Sequence, residues 1–165
     1  MNKQKGFTLV ELLVVIAIVA ILAGALLIAI NPQSMIQKSR DSKRLSDIDS
    51  LVKAINLALA DGEITLVATG NCTDCTSDTG DRDLDGNGFV KYTIPTGKTG
   101  LSKFIPTLPI DPLNTSPNIY RYGSTLTDFE VNVVLEHVDN QAKMSTDGGN
   151  NNGAYEMGTS LTILP

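Results

Sequence analysis

The chain has 165 residues, with 13 basic and 18 acidic side chains and a formal net charge of −5; once a long apolar N-terminal segment is set aside, about one hundred residues remain for one small globular domain. Thirteen acidic and six basic residues fall in 62–165, and an acidic globular part makes a poor general nucleic-acid binder, because phosphate contacts need Lys and Arg. Two cysteines are too few for a disulfide scaffold and only half of a four-cysteine zinc site.

Residues 8–30, TLVELLVVIAIVAILAGALLIAI, contain a single charge, Glu11, and at 1.5 Å per residue a helix of this length spans a bilayer. Hydropathy alone permits a signal peptide, a plain anchor or a filament-forming segment. A secretory signal has a shorter apolar run that ends in a small-residue cleavage site; here no polar break occurs before Asn31-Pro32. A plain anchor has no use for a carboxylate, which costs about 2.5–3.5 kcal/mol at mid-bilayer and less near the interface. Glu11 therefore reads as functional.

The string Lys5-Gly6-Phe7-Thr8-Leu9-Val10-Glu11, followed by an unbroken apolar helix, resembles the leader and processing site of bacterial type IV pilins and type II secretion pseudopilins. The resemblance implies an α+β fold with a long N-terminal helix on a small antiparallel sheet. It also implies a prepilin peptidase that cuts after Gly6 and methylates the amine of Phe7. Glu11 takes the place of the family's assembly residue. Identical subunits in a helical homopolymer, an inner-membrane assembly platform and a cytoplasmic ATPase are the implied partners. Lys3 and Lys5 hold the leader inside by the positive-inside rule, which sends the head outward. In the filament, Glu11 would pair with the Phe7 ammonium of a neighbour, so two charges costly in apolar surroundings neutralise only when subunits are in register. The resemblance implies a precursor in the inner membrane and a product in an extracellular filament.

Asn31-Pro32 interrupts the helical pattern, since proline removes one hydrogen bond and clashes with the preceding turn. Beyond it, Leu45, Ile48, Leu51, Val52, Ile55 and Leu59 recur at spacings of three and four and predict an amphipathic helix ending at Asp61-Gly62. Arg40, Lys43, Arg44, Asp47 and Lys53 are read as lying mainly off that stripe. The division that follows is leader 1–6, membrane or filament-core helix 7–32, amphipathic helix 33–61 and head 62–165. Residues 70–88 read as a loop. Strands are predicted at 89–94, 120–122, 129–138 and 142–145, and 108–112 as a turn-rich segment. The segment 108–112, Leu-Pro-x-Asp-Pro, with Tyr120-x-Tyr122 and a late Asp-Gly-Gly at 147–149, is similar to the pseudopilin side of the family.

Asp83, Asp85 and Asn87 occupy positions 1, 3 and 5 of a calcium-type loop, with Gly88 at 6 and the Phe89 carbonyl at 7. Position 12 is Ile94 instead of a bidentate glutamate, so Asp78, Asp81 or Asp147 would have to complete the set. Calcium in pseudopilins similar to this chain often sits in the late head loop, here 147–155. Cys72 and Cys75 read as a local disulfide if the head crosses the membrane, their Asp/Thr/Gly surroundings lacking the strand-to-helix context of a redox pair. His137 reads as a surface residue without a catalytic partner, and no enzymatic site is expected. A rival reading is a monomeric, membrane-anchored, calcium-binding surface domain.

Overall fold

In the computed structural model, which describes residues 6–165, the chain divides into two units, one ending at Ile36 and the other comprising Gln37–Pro165. Lys3 and Lys5 lie outside the described residues. The first helix, α1 (Leu9–Ile30), starts where Thr8 takes extended backbone, and it ends where Asn31 enters the left-handed region at φ 46°. Pro32, with no N–H to leave unpaired, then opens α2 (Pro32–Ala60). The interruption expected at Asn31-Pro32 is a one-residue break with helix on both sides.

The α2 helix stops at Gly62, φ 61°, where the Glu63 amide donates to the Ala58 carbonyl at 2.8 Å and the Gly62 amide to Leu59 at 3.1 Å. This crossed pair satisfies the last carbonyls, and only glycine takes its left-handed residue without cost. Upstream, Ile48, Leu51, Val52, Ala54, Ile55 and Ala58 are buried, with Leu45 and Leu59 at the margins. They pack in one cluster with Phe89, Leu101, Leu108, Tyr120, Phe129 and Val131. Burying each large side chain is worth about 1.5–3 kcal/mol.

Two sheets are present where one was expected. Strand β1 (Thr65–Leu66) pairs antiparallel with β2 (Tyr92–Thr93), and β3 (Arg121–Ser124), β4 (Phe129–Val133) and β5 (Tyr155–Gly158) form an antiparallel sheet with β4 central. The predicted strand 89–94 contracts to β2 because Phe89 and Val90 are buried in the core by a bend instead of a ladder. The predicted strand 142–145 is helical: α3 (Val138–Met144) begins where the His137 Nδ1 accepts the Asp139 amide at 3.1 Å. The strand predicted at 129–138 stops at Val133, short of that cap, and within α3 Ala, Gln, Lys and Met are good helix formers. His137 is buried, not on the surface.

All of β4 is buried. Phe129, Val131 and Val133 join the core. Glu130 and Asn132, at the alternate positions, face the other side of the sheet, where the final segment crosses: the Ile163 and Leu164 amides donate to one Glu130 carboxylate oxygen at 2.6 and 3.0 Å. A Cβ at Gly123 would come within 2.7 Å of the Leu164 side chain, so the final segment packs closely over the glycine. The arrangement is α+β: a long apolar helix with small antiparallel sheets.

Candidate functional site

At the N-terminus the Glu11 amide donates to Thr8 Oγ1 at 3.2 Å, and one Glu11 carboxylate oxygen accepts from the Thr8 amide at 2.8 Å and its hydroxyl at 2.7 Å. This capping box satisfies two donors of the helix start and turns the carboxylate back along its own chain. Phe7 is 81% exposed, and the apolar side chains described along Leu9–Leu27 are exposed throughout. The segment is long and apolar enough to cross a membrane by length and composition. It has the makings of a surface that needs lipid or other helices, with one carboxylate near its end. Gly6 and Phe7 precede the helix and are accessible.

The head holds a charged cluster that the sequence reading did not find. Arg44 is fully buried. Its Nε and Nη2 donate to both oxygens of Asp111 at 2.6 and 2.9 Å, and its Nη1 meets Asp41 at 3.0 Å and Glu136 at 2.5 Å. Arg40 adds a second guanidinium to Glu136. Asp41, also fully buried, accepts the backbone amides of Glu136 and His137, both at 2.9 Å, and the Asn140 side chain at 3.0 Å. Asp111 accepts the Leu113 amide at 2.8 Å. One arginine thus fixes the Leu-Pro-x-Asp-Pro turn to α2, and one aspartate fixes the start of α3 to it. The bidentate fork supplies both charge and orientation. Burial works against the Arg44 charge, but Asp111 and Glu136 outweigh it and keep the guanidinium protonated. Hydrogen bonds from Arg40 and then Arg44 hold Glu136 below the usual carboxylate value of 4.5, against the opposing effect of burial. The signal was available: Asp41 and Arg44 continue the spacing of Ile48, Leu51, Val52 and Ile55 one turn upstream.

Cys72 and Cys75 are joined in a disulfide, with their Cα atoms 5.6 Å apart. Asp74, between them, pairs with Lys91 at 2.7 Å. In the 83–90 loop, both Asp85 carboxylate oxygens are taken by Asn87, one by its amide N–H at 2.8 Å and the other by its side-chain amide at 2.9 Å. These bonds, the side-chain one first, hold Asp85 below the ordinary carboxylate value. The Lys91 ammonium donates to the Asn87 carbonyl at 2.8 Å, so a cation of the chain itself reaches this loop. Phe89 is a core side chain. Asp78 accepts from the Thr76 hydroxyl, and Asp147 accepts the Gly149 and Glu156 amides. Among the described residues, the structure does not gather Asp83, Asp85 and a third carboxylate; the three potential ligands it brings together are Cys72, Asp74 and Cys75, where the sulfurs are already bonded to each other.

The prokaryotic N-terminal methylation motif matches residues 1–27. The chain is 32% identical over 112 residues to a fimbrial protein of Pseudomonas aeruginosa, covering 66% of this chain and 70% of that one. It is 36% identical over 103 residues to the type IV major fimbrial protein FimA of Dichelobacter nodosus, 60% of each chain. With a type IV major alpha-pilin of Moraxella bovis it shares 38% identity over 73 residues, 44% of this chain and 45% of the other. No solved structure gives a significant match. The methylation motif, the exposed apolar helix and a relative matched over more than two thirds of its length together make this chain a member of the type IV pilin family.

Proposed function

We propose that this chain is a non-enzymatic structural subunit of a type IV pilus-like filament, made as an inner-membrane precursor, cut after Gly6 by a prepilin peptidase and methylated on the Phe7 amine. The observation that carries the proposal is α1: an exposed apolar helix whose one charge, Glu11, lies at its start and is held by Thr8 alone among the hydrogen bonds described there. Such a helix is stable in lipid, and equally stable when neighbouring copies replace the lipid. The assembly platform and its ATPase are the machinery this exchange requires. Relatives named as fimbrial proteins and a major alpha-pilin favour a pilus over a secretion pseudopilus. Co-expression with a prepilin peptidase is expected to shorten the chain by the residues before Phe7 and leave N-methylphenylalanine. Filaments sheared from cells that still carry Met1 would overturn the proposal.

Calcium at Asp83, Asp85, Asn87 and the Phe89 carbonyl is a separate proposal for the head. As the loop stands the fit is incomplete: Asn87 occupies Asp85, and Lys91 reaches the Asn87 carbonyl. An incoming ion would compete with that ammonium.

A further inference from the structure

The face of the β3-β4-β5 sheet turned away from the core carries two buried carboxyl groups. Glu130 and Glu156 alternate with Phe129, Val131, Tyr155 and Met157, which pack with the core. Glu130 lies opposite Gly158 and Glu156 opposite Asn132, so the two glutamates are diagonal neighbours across β4 and β5. They are 0% and 2% exposed. One Glu130 oxygen accepts the Ile163 and Leu164 amides, while the other is buried without a donor. The Glu156 carboxyl lies beside it and packs so closely on Gly149 that a Cβ there would have no room. Its Oε2 accepts the Asn151 amide at 3.0 Å.

The charged groups around this pair do not neutralise it. Asp147 adds a third negative group from the loop before β5, its own oxygens taken by the Gly149 and Glu156 amides. Arg121 of β3 stands in the same cross-strand row as Glu156, with Asn132 between them; it is exposed, as are Asp139 and Lys143 of α3. Residues 148–153 and 159–165 carry no charged side chain. Two ionised carboxylates in one buried site repel, so such a pair keeps one proton between them. That proton supplies the donor that the Glu130 oxygen lacks.

The segment 161–165 belongs to no strand and is fastened over the pair. Besides the two amides on Glu130, the Leu161 carbonyl accepts the Asn150 amide at 3.2 Å and the Pro165 carbonyl accepts the Asn151 side chain at 2.7 Å. We propose that Glu130 and Glu156 share one proton and that this proton latches the 161–165 segment over the sheet: its loss leaves two negative charges in one buried site, relieved by lifting the segment and admitting water. The closed segment then holds one proton more than the open one. Burial first, and then Glu130, push the closed Glu156 carboxyl up from 4.5 to about 7. The ratio of closed to open segments is thus greatest below pH 4.5, falls about tenfold for each pH unit up to about 7, and levels off above it.

The test uses the full chain in detergent micelles, with a chelator present throughout. Exchange of the Ile163 and Leu164 amide hydrogens, divided by the rate of an unprotected amide at each pH, reads that ratio. Protection is expected to fall about a hundredfold from pH 5 to 7, and to stay below that of Val131 in β4 at every pH, because the segment lifts without the sheet. Glu156→Gln is expected to remove the slope and hold protection at pH 7 near its acid level. Glu130→Gln places an amide N–H where the shared proton was and is expected to flatten the slope as well, so either variant carries the test if the other fails to fold. In the parent, the carboxyl carbon signals of Glu130 and Glu156 are expected to move together with a midpoint near 7. A Glu156 midpoint near 4.5, protection without a pH slope, or the parent's slope in both variants would overturn the proposal. So would Ile163 and Leu164 amides as protected as Val131, for the segment would then leave only when the head unfolds.

Discussion

Arg44 joins three parts of the head, because its guanidinium is shared by Asp41, Asp111 and Glu136. Removing one partner of a buried ion pair leaves uncompensated charge and costs about 3–5 kcal/mol. Arg44→Met is therefore expected to destabilise the head by at least that much in denaturant unfolding, although methionine fills much of the same space; a loss under about 1 kcal/mol would mean that the carboxylates find other partners. The pH dependence follows from Glu136. Its folded-state value lies below the ordinary 4.5, so its contribution is fully present above about pH 4.5 and is lost as the pH falls through the lower value. Glu156 has the opposite sign. Burial first, then the Glu130 carboxyl beside it, push it up to about 7 against the Asn151 amide, so its contribution is present below pH 4.5 and is lost as the pH rises towards about 7. Glu156→Gln is expected to flatten the upper slope of a stability profile and leave the acid limb unchanged, as measured by urea midpoints from pH 3 to 8. Arg44 was missed as a core residue for a physical reason: its charge argued for solvent, and its partner Asp111 lies 67 residues away. Periodicity is visible locally; the countercharge that permits burial is not.

Among the elements, α1 and α2 were legible in outline because their causes are local. The capping string at Thr8–Glu11, the break at Asn31-Pro32 and the stop at Gly62 all act within a few residues. The sheet was less so. Strands β1 and β5 are too short for their alternation, Ile64 with Leu66 and Tyr155 with Met157, to stand out, and both are fixed by distant pairing, Leu66 with Tyr92 and Glu156 with Asn132. The strand predicted at 142–145 failed because a histidine cap, which carries little weight as a sequence signal, starts a helix at Val138. The 70–88 loop is tied down by the Cys72–Cys75 disulfide, by Lys91 on Asp74 and Asn87, and by longer-range bonds such as Ser77 with Tyr120 and Asn114 and Arg82 with the Leu108 carbonyl. If calcium binds at Asp83 and Asp85, it is expected to raise the melting temperature weakly in the parent chain, with affinity of the ~10⁻⁴–10⁻³ M order of extracellular modules. The rise is expected to grow in Lys91→Gln, where the competing ammonium is gone, and to vanish in Asp83→Ala/Asp85→Ala. Identical calcium and chelator curves in all three chains would remove the site.

For the whole molecule, the N-terminal segment was the most legible part, since its composition suits apolar surroundings alone, lipid or other helices, and the string from Lys5 to Glu11 narrows the choice between them. The proposed role of Glu11 is decided at this scale. Glu11→Ala is expected to leave membrane insertion intact, because it removes the one charge in the span, while abolishing or strongly reducing filament yield by electron microscopy. Normal filaments from that variant would return the chain to the reading of an anchored monomer.

The Arg44 cluster has a further consequence once the chain is considered as a loaded part. From Asp41 to Ala58, α2 lies against the head over about 25 Å. It is tied by Arg44 and Asp41 at one end, and the Lys103 ammonium binds Asp61 and Glu63 just beyond the other. A pull along this helix loads the apolar stripe in shear, and its charged fasteners must give way together instead of one after another. Resistance to tension is thus built into the same contacts that hold the head folded, and a chain that loses Arg44 should yield at lower force even where it still folds.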